Sequence, residues 1–120
     1  MATGTRDLKA LDDELNQLIL SGKVFEALER FYDKDVCMQE NSEPACVGLA
    51  ANIEREKNFF TMVEQFYGSK VLSQAVGDNV TFSEWESDVQ YKGAPRATSH
   101  QVSRREWRDG KIVHERFFHK

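Results

Sequence analysis

The chain has 120 residues, a net charge of -4, 40% hydrophobic and 30% charged content, the composition of one soluble globular domain spanning residues 1–120. The acidic balance argues against a nucleic-acid partner, which would call for a basic face, and no apolar run approaches the roughly 20 residues that cross a bilayer. Residues 1–9 lack the apolar core of a secretory leader, so a cytoplasmic location is expected, with Cys37 and Cys46 as small apolar residues rather than a bridge.

In chain order, Leu8, Leu11, Leu15, Leu18 and Ile19 recur at helical spacing, and Ser21-Gly22 ends that helix, because glycine accepts the left-handed conformation beyond a helix terminus. Val24, Ala27, Leu28, Phe31 and Tyr32 predict a second, shorter helix after a tight turn. Residues 36–40 read as a short strand and 41–44 as a loop. Leu49, Ile53, Phe60, Val63 and Tyr67 predict a third helix, with Glu54, Lys57 and Glu64 on its polar side. Beyond Gly68 the texture is that of strands, expected at 70–76, 79–91, 97–108 and 111–119. Gly77-Asp78, Lys92-Gly93-Ala94-Pro95 and Asp109-Gly110 are the turns between them. The Asp-Gly step is the strongest hairpin signal in the chain.

Three helices followed by consecutive strands predict an α+β fold, with the helices packed on a strongly curved, mixed or antiparallel sheet as a conical α+β barrel. Such a layer arrangement leaves room for a pocket between helices and sheet.

Several pieces together resemble the SnoaL-like branch of the nuclear transport factor 2-like superfamily. They are the Gly22 break, Phe31-Tyr32-Asp33-Lys34-Asp35-Val36 entering a strand, Val47-Gly48-Leu49 opening a helix, and Trp107-Arg108-Asp109-Gly110-Lys111-Ile112 at the end. The resemblance covers nearly the whole chain and implies a conical pocket, with dimers formed through the sheet. It leaves the chemistry open, because this fold hosts isomerases, cyclases, hydrolases and binding modules.

Four residues are candidates for chemistry. Glu40 ends the short strand, where ketosteroid isomerase-like members resemble it in carrying a carboxylate base. Leu15 and Val102-Ser103-Arg104 depart from the hydrogen-bond donors of those enzymes. Glu115 and Arg104 come next. A two-residue Asp109-Gly110 turn would set Arg104 opposite Glu115 and His100 opposite His119, whereas a three-residue loop would set Arg104 opposite His114. In limonene epoxide hydrolase-like relatives the positions of Glu115 and Phe117 point into the pocket, and Phe117 replaces their second acid. SnoaL-like cyclases are similar in using a histidine and an acid from late strands, for which His100 and Glu115 would be the pair. Tyr32, Phe59, Phe82, Trp85 and Phe117 are expected to line the pocket. The function expected is binding of a small, mostly apolar, oxygenated molecule by a homodimer. Proton transfer on that molecule would need no cofactor and no metal. The alternative is a non-catalytic binding or assembly module.

Overall fold

A computed structural model describes residues 5–120, with side chains from Asp7 onward. The start of the leaderless segment expected at residues 1–9 therefore lies outside the described residues. Helix α1 (Thr5–Leu20) presents Leu8 and Leu15 inward with no exposure at all, and Asp12 and Asn16 share that face. Its helical spacing thus buries two polar residues with its leucines. Gly22 (φ +79) reverses the chain, and Lys23 N–H closes back on Leu18 O at 2.9 Å. Helix α2 (Val24–Phe31) buries Ala27, Leu28 and Phe31.

Strand β1 (Tyr32–Glu40) follows without a linker and starts earlier than the expected residue 36. A two-residue strand β2 (Cys46–Val47) lies antiparallel to it, and Cys37 pairs with Val47 while Met38 pairs with Cys46. The two half-buried cysteines therefore point to opposite faces, and both thiols are free. Helix α3 (Leu49–Thr61) is shorter than expected, because strand β3 (Val63–Gly77) takes up the residues that extended the helical pattern to Tyr67. Strands β4 (Val80–Tyr91), β5 (Ala97–Arg108) and β6 (Lys111–His119) complete one mixed sheet in the order β2-β1-β6-β5-β4-β3. Only the β1–β6 pairing in it is parallel. The apolar core joins Leu8, Leu15, Leu28, Phe31, Val36 and Ile112, with Phe31 edge-on to Trp107 at 6.4 Å.

The β5–β6 hairpin corrects both expected registers. Asp109 (φ +51) and Gly110 (φ +78) form a two-residue turn with both central residues left-handed, the geometry Asp-Gly favours. Arg108 pairs with Lys111 and Trp107 with Ile112, but Glu106 pairs with His114. Val113 is the extra residue of a β-bulge. Beyond it Arg104 faces Arg116, Glu115 faces Arg105, and His119 faces Gln101 instead of His100.

Candidate functional site

Alternation along the strands sets three cross-strand rows on the helix-facing side of the sheet. One runs Thr81–Arg105–Glu115–Met38, the next Ser83–Ser103–Phe117–Glu40, and the third Trp85–Gln101–His119. The first row meets α1 in a buried polar network. Arg105, 1% exposed, donates from Nη1 to Asp12 Oδ1 and Asn16 Oδ1, both at 2.7 Å, and from Nε to Glu115 Oε2 at 2.8 Å. Tyr32 Oη donates to the other oxygen of Glu115 at 2.6 Å. Thr81 Oγ1 (2.8 Å), Ser83 Oγ (3.2 Å) and Gln74 Nε2 (2.8 Å) donate to Asp12, and Trp107 Nε1 donates to Thr81 at 2.9 Å.

This network sets its own protonation. Burial acts to lower the Arg105 value, but Glu115, Tyr32 and Asp12 outweigh it and hold the guanidinium charged above its ordinary range. Burial, and then the charge of Glu115, push the Tyr32 hydroxyl well above the usual tyrosine value, so it stays a donor. Glu115 thus anchors Tyr32 and Arg105, accepting from one of them on each carboxylate oxygen.

Where the second and third rows end, charged groups gather at the rim. Glu40 Oε2 lies 2.7 Å from His119 Nε2, and Arg55 Nη1 lies 3.9 Å from Glu40 Oε1. The Lys120 carbonyl and then Glu40 raise His119 above the usual histidine value, against the effect of burial. On α3, Asn52 is buried and donates from Nδ2 to Cys46 O (3.0 Å) and Gly48 O (2.8 Å). One turn later comes the half-buried Glu56. Burial raises its carboxyl above the usual glutamate value. Arg55 opposes that rise, while Glu115 and Glu40 add to it. Two buried side-chain atoms have no partner among the described residues, Trp85 Nε1 and Asn52 Oδ1.

The inner face thus brings together Tyr32, Glu40, Trp85, Glu115 and Phe117 of the expected residues. It does not hold His100, Arg104 or Phe82, which alternation puts on the outer face. There His100 lies 3.2 Å from Glu86, and Arg104 lies 3.3 Å from Glu106 and opposite Phe82. The bulge and the odd-numbered phase of β5 give the inward position to Arg105. Phe59 joins an exposed aromatic cluster with Phe60 (5.8 Å) and Tyr91 (5.7 Å). Asp12, Asn16, Arg105 and Glu56 carry the interior polarity and escaped the sequence reading. The signal for the first two was available: they sit four residues apart on the leucine face of α1. Two surface clefts are open. One of about 390 Å³ is lined by Arg104, Glu106, Asp78 and Arg108, and one of about 240 Å³ by Gly68, Lys70 and Glu86; neither lies between the layers. Among the described residues no group of three His, Cys, Asp or Glu could hold a metal ion, and no helix is long and apolar enough to cross a membrane.

Known proteins place this geometry in a family. A protein of Mesorhizobium loti proposed to be a SnoaL-like polyketide cyclase is 21% identical, with a TM-score of 0.85 over 93% of this chain and 98% of its own. A proposed polyketide cyclase of Xanthomonas campestris pv. campestris is 16% identical, with a TM-score of 0.80 over 98% of this chain and 93% of its own. TerC, crystallised with polyporic acid, is 13% identical, with a TM-score of 0.77 over 92% and 89%. At these identities the likeness establishes the fold. No curated protein matches the sequence. The sequence model of the SnoaL-like domain matches residues 7–119, so the chain belongs to the SnoaL-like domain family, within the nuclear transport factor 2-like fold.

Proposed function

We propose that this SnoaL-like domain binds a small, largely apolar, oxygen-bearing molecule between α3 and the inner face of the sheet, and moves a proton on it without a cofactor. The observation that carries the reading is Trp85. Its indole N–H is buried on the inner face without a partner among the described residues, and an unsatisfied buried donor costs about 1–3 kcal/mol. An acceptor oxygen on a bound molecule would satisfy it. Across the sheet, β1 with Glu40 lies three strand spacings from β4, roughly 14 Å away, with the Ser103 and Phe117 positions of β5 and β6 between. A molecule of about that length would touch the Trp85 indole at one end and the Glu40 rim at the other. The Arg105–Glu115–Tyr32 network fixes the floor beside it, and the Glu40–His119 pair supplies exchange of protons with solvent. The pairing of TerC with polyporic acid supports an organic ligand of this kind for the fold.

The test is a screen of aromatic ketones and phenols by quenching of tryptophan fluorescence. Quenching that W85F removes and R104Q preserves supports the reading. Quenching lost in R104Q and kept in W85F would move the site to the outer cleft.

A specific feature also favours assembly. On the outer face Phe82 and Phe118 are 36% and 39% exposed, with Val102 opposite Phe118 and Arg104 opposite Phe82. We propose that two copies pair through this face as a cytoplasmic homodimer. Light scattering should give twice the chain mass at micromolar concentration, and the mass of one chain for F82D/F118D; one chain mass for the unaltered protein would contradict it.

A further inference from the structure

We infer that Glu56, on α3 facing the sheet, is the acid of this site, and that its neutral carboxyl donates a hydrogen bond to the ligand's oxygen. The inference rests on the reading of the inner face as a ligand site. It starts from how the interior acids are partnered. Asp12 accepts from Arg105, Thr81, Ser83 and Gln74, Glu115 accepts from Arg105 and Tyr32, and Glu40 is paired with His119. Glu56 is the exception, half-buried and with no hydrogen bond or ion pair among the described residues.

Its position gives that exception a use. It lies one helical turn beyond Asn52, whose Oδ1 is buried and unpartnered among the described residues, so two consecutive positions on that side of α3 present polar groups without a protein partner. The groups that influence it come from three elements: Glu115 on β6, Glu40 on β1, and Arg55 on α3 itself. Two of these are carboxylates, which favour a proton on Glu56, and Arg55 is the only cation among them. The guanidinium of Arg105 is already spent on Asp12 and Glu115. A half-buried carboxyl in negative surroundings keeps its proton to higher pH, as the direction of its shift also indicates. In that form it is a donor, and a carbonyl oxygen is the partner it lacks. Once ionised it would repel that oxygen, so binding of a neutral carbonyl compound must take up a proton at Glu56.

The test uses the whole protein and 1-indanone, a small apolar ketone. The 13C carboxyl resonance of Glu56 is followed through a pH titration with and without the probe. Saturating probe should raise the midpoint by about one pH unit, equal to about tenfold tighter binding to the acid form. In E56Q, whose amide remains a donor but cannot titrate, affinity for 1-indanone should no longer fall with pH. An unmoved midpoint while the Trp85 indole resonance responds to probe would overturn the role of Glu56 and leave the site standing. If neither resonance responds, the site itself fails and the inference falls with it.

Discussion

Replacing Arg105 by methionine removes the only cation, among the described residues, bonded to the two buried carboxylates Asp12 and Glu115. Asp12 and Glu115 are 0% and 1% exposed, and each loses a charge-assisted bond of 2.7 or 2.8 Å. Asn16 loses a third, at 2.7 Å. Breaking a buried pair from one side costs about 3–5 kcal/mol, because the orphaned charge stays in a dry site. A chain of this length is worth roughly 6–18 kcal/mol in all, at about 0.05–0.15 kcal/mol per residue. The variant should therefore fold but lose a large fraction of its margin. With an m-value of about 1.5–2 kcal/mol per molar urea, a loss of about 4 kcal/mol lowers the urea midpoint by about 2 M at pH 7. R104M, on the outer face, should stay within about 0.5 kcal/mol. A loss below about 1 kcal/mol for R105M at pH 7 would refute the reasoning.

Other variants read the same interior. Glu56 has a raised folded value, so its contribution is favourable below the ordinary glutamate range and unfavourable as pH rises through the raised value. E56Q should therefore melt a few degrees higher at pH 7, with the gain gone near pH 4; a lower melting temperature at pH 7 would contradict the burial argument. Y32F removes the donor to Glu115 Oε1 and leaves a buried acceptor unsatisfied, at a cost of about 1–3 kcal/mol in urea unfolding. His119 is raised by Lys120 and Glu40, so the Glu40 pair stabilises below the ordinary histidine value and fades as pH rises through the raised one. E40Q should accordingly differ from the unaltered protein by a few tenths of a kcal/mol at pH 5.5, as suits a part-exposed pair, and by nothing measurable at pH 9.

The order of helices and strands could be read from spacing alone, because apolar periodicity switches from 3.6 to 2 along the chain. The Asp109-Gly110 turn was equally legible, since few residue pairs accept two left-handed conformations. The end of α3 was not, because Val63, Phe66 and Tyr67 fit either period and pairing with β4, from Val63 opposite Tyr91 onward, settles the matter. The site suffered most from one residue. The bulge at Val113 follows from no composition signal, yet a single-residue slip exchanges the two faces of a strand. It separates Arg104, which spacing favoured, from Arg105, which the fold buries. Glu56 escaped for a related reason. Surrounded by Arg55 and Lys57, it reads as part of a solvated helix face, and only the sheet packed against α3 turns it inward.

The most direct test of the inner-face site is the indole N–H resonance of Trp85 in a 1H–15N spectrum recorded with increasing 1-indanone. It should shift progressively and saturably, while the indole N–H of Trp107, already bonded to Thr81, stays in place. A Trp85 signal that remains fixed while backbone amides around Arg104, Glu106 and Asp78 respond would place binding on the outer cleft and contradict the inner-face site.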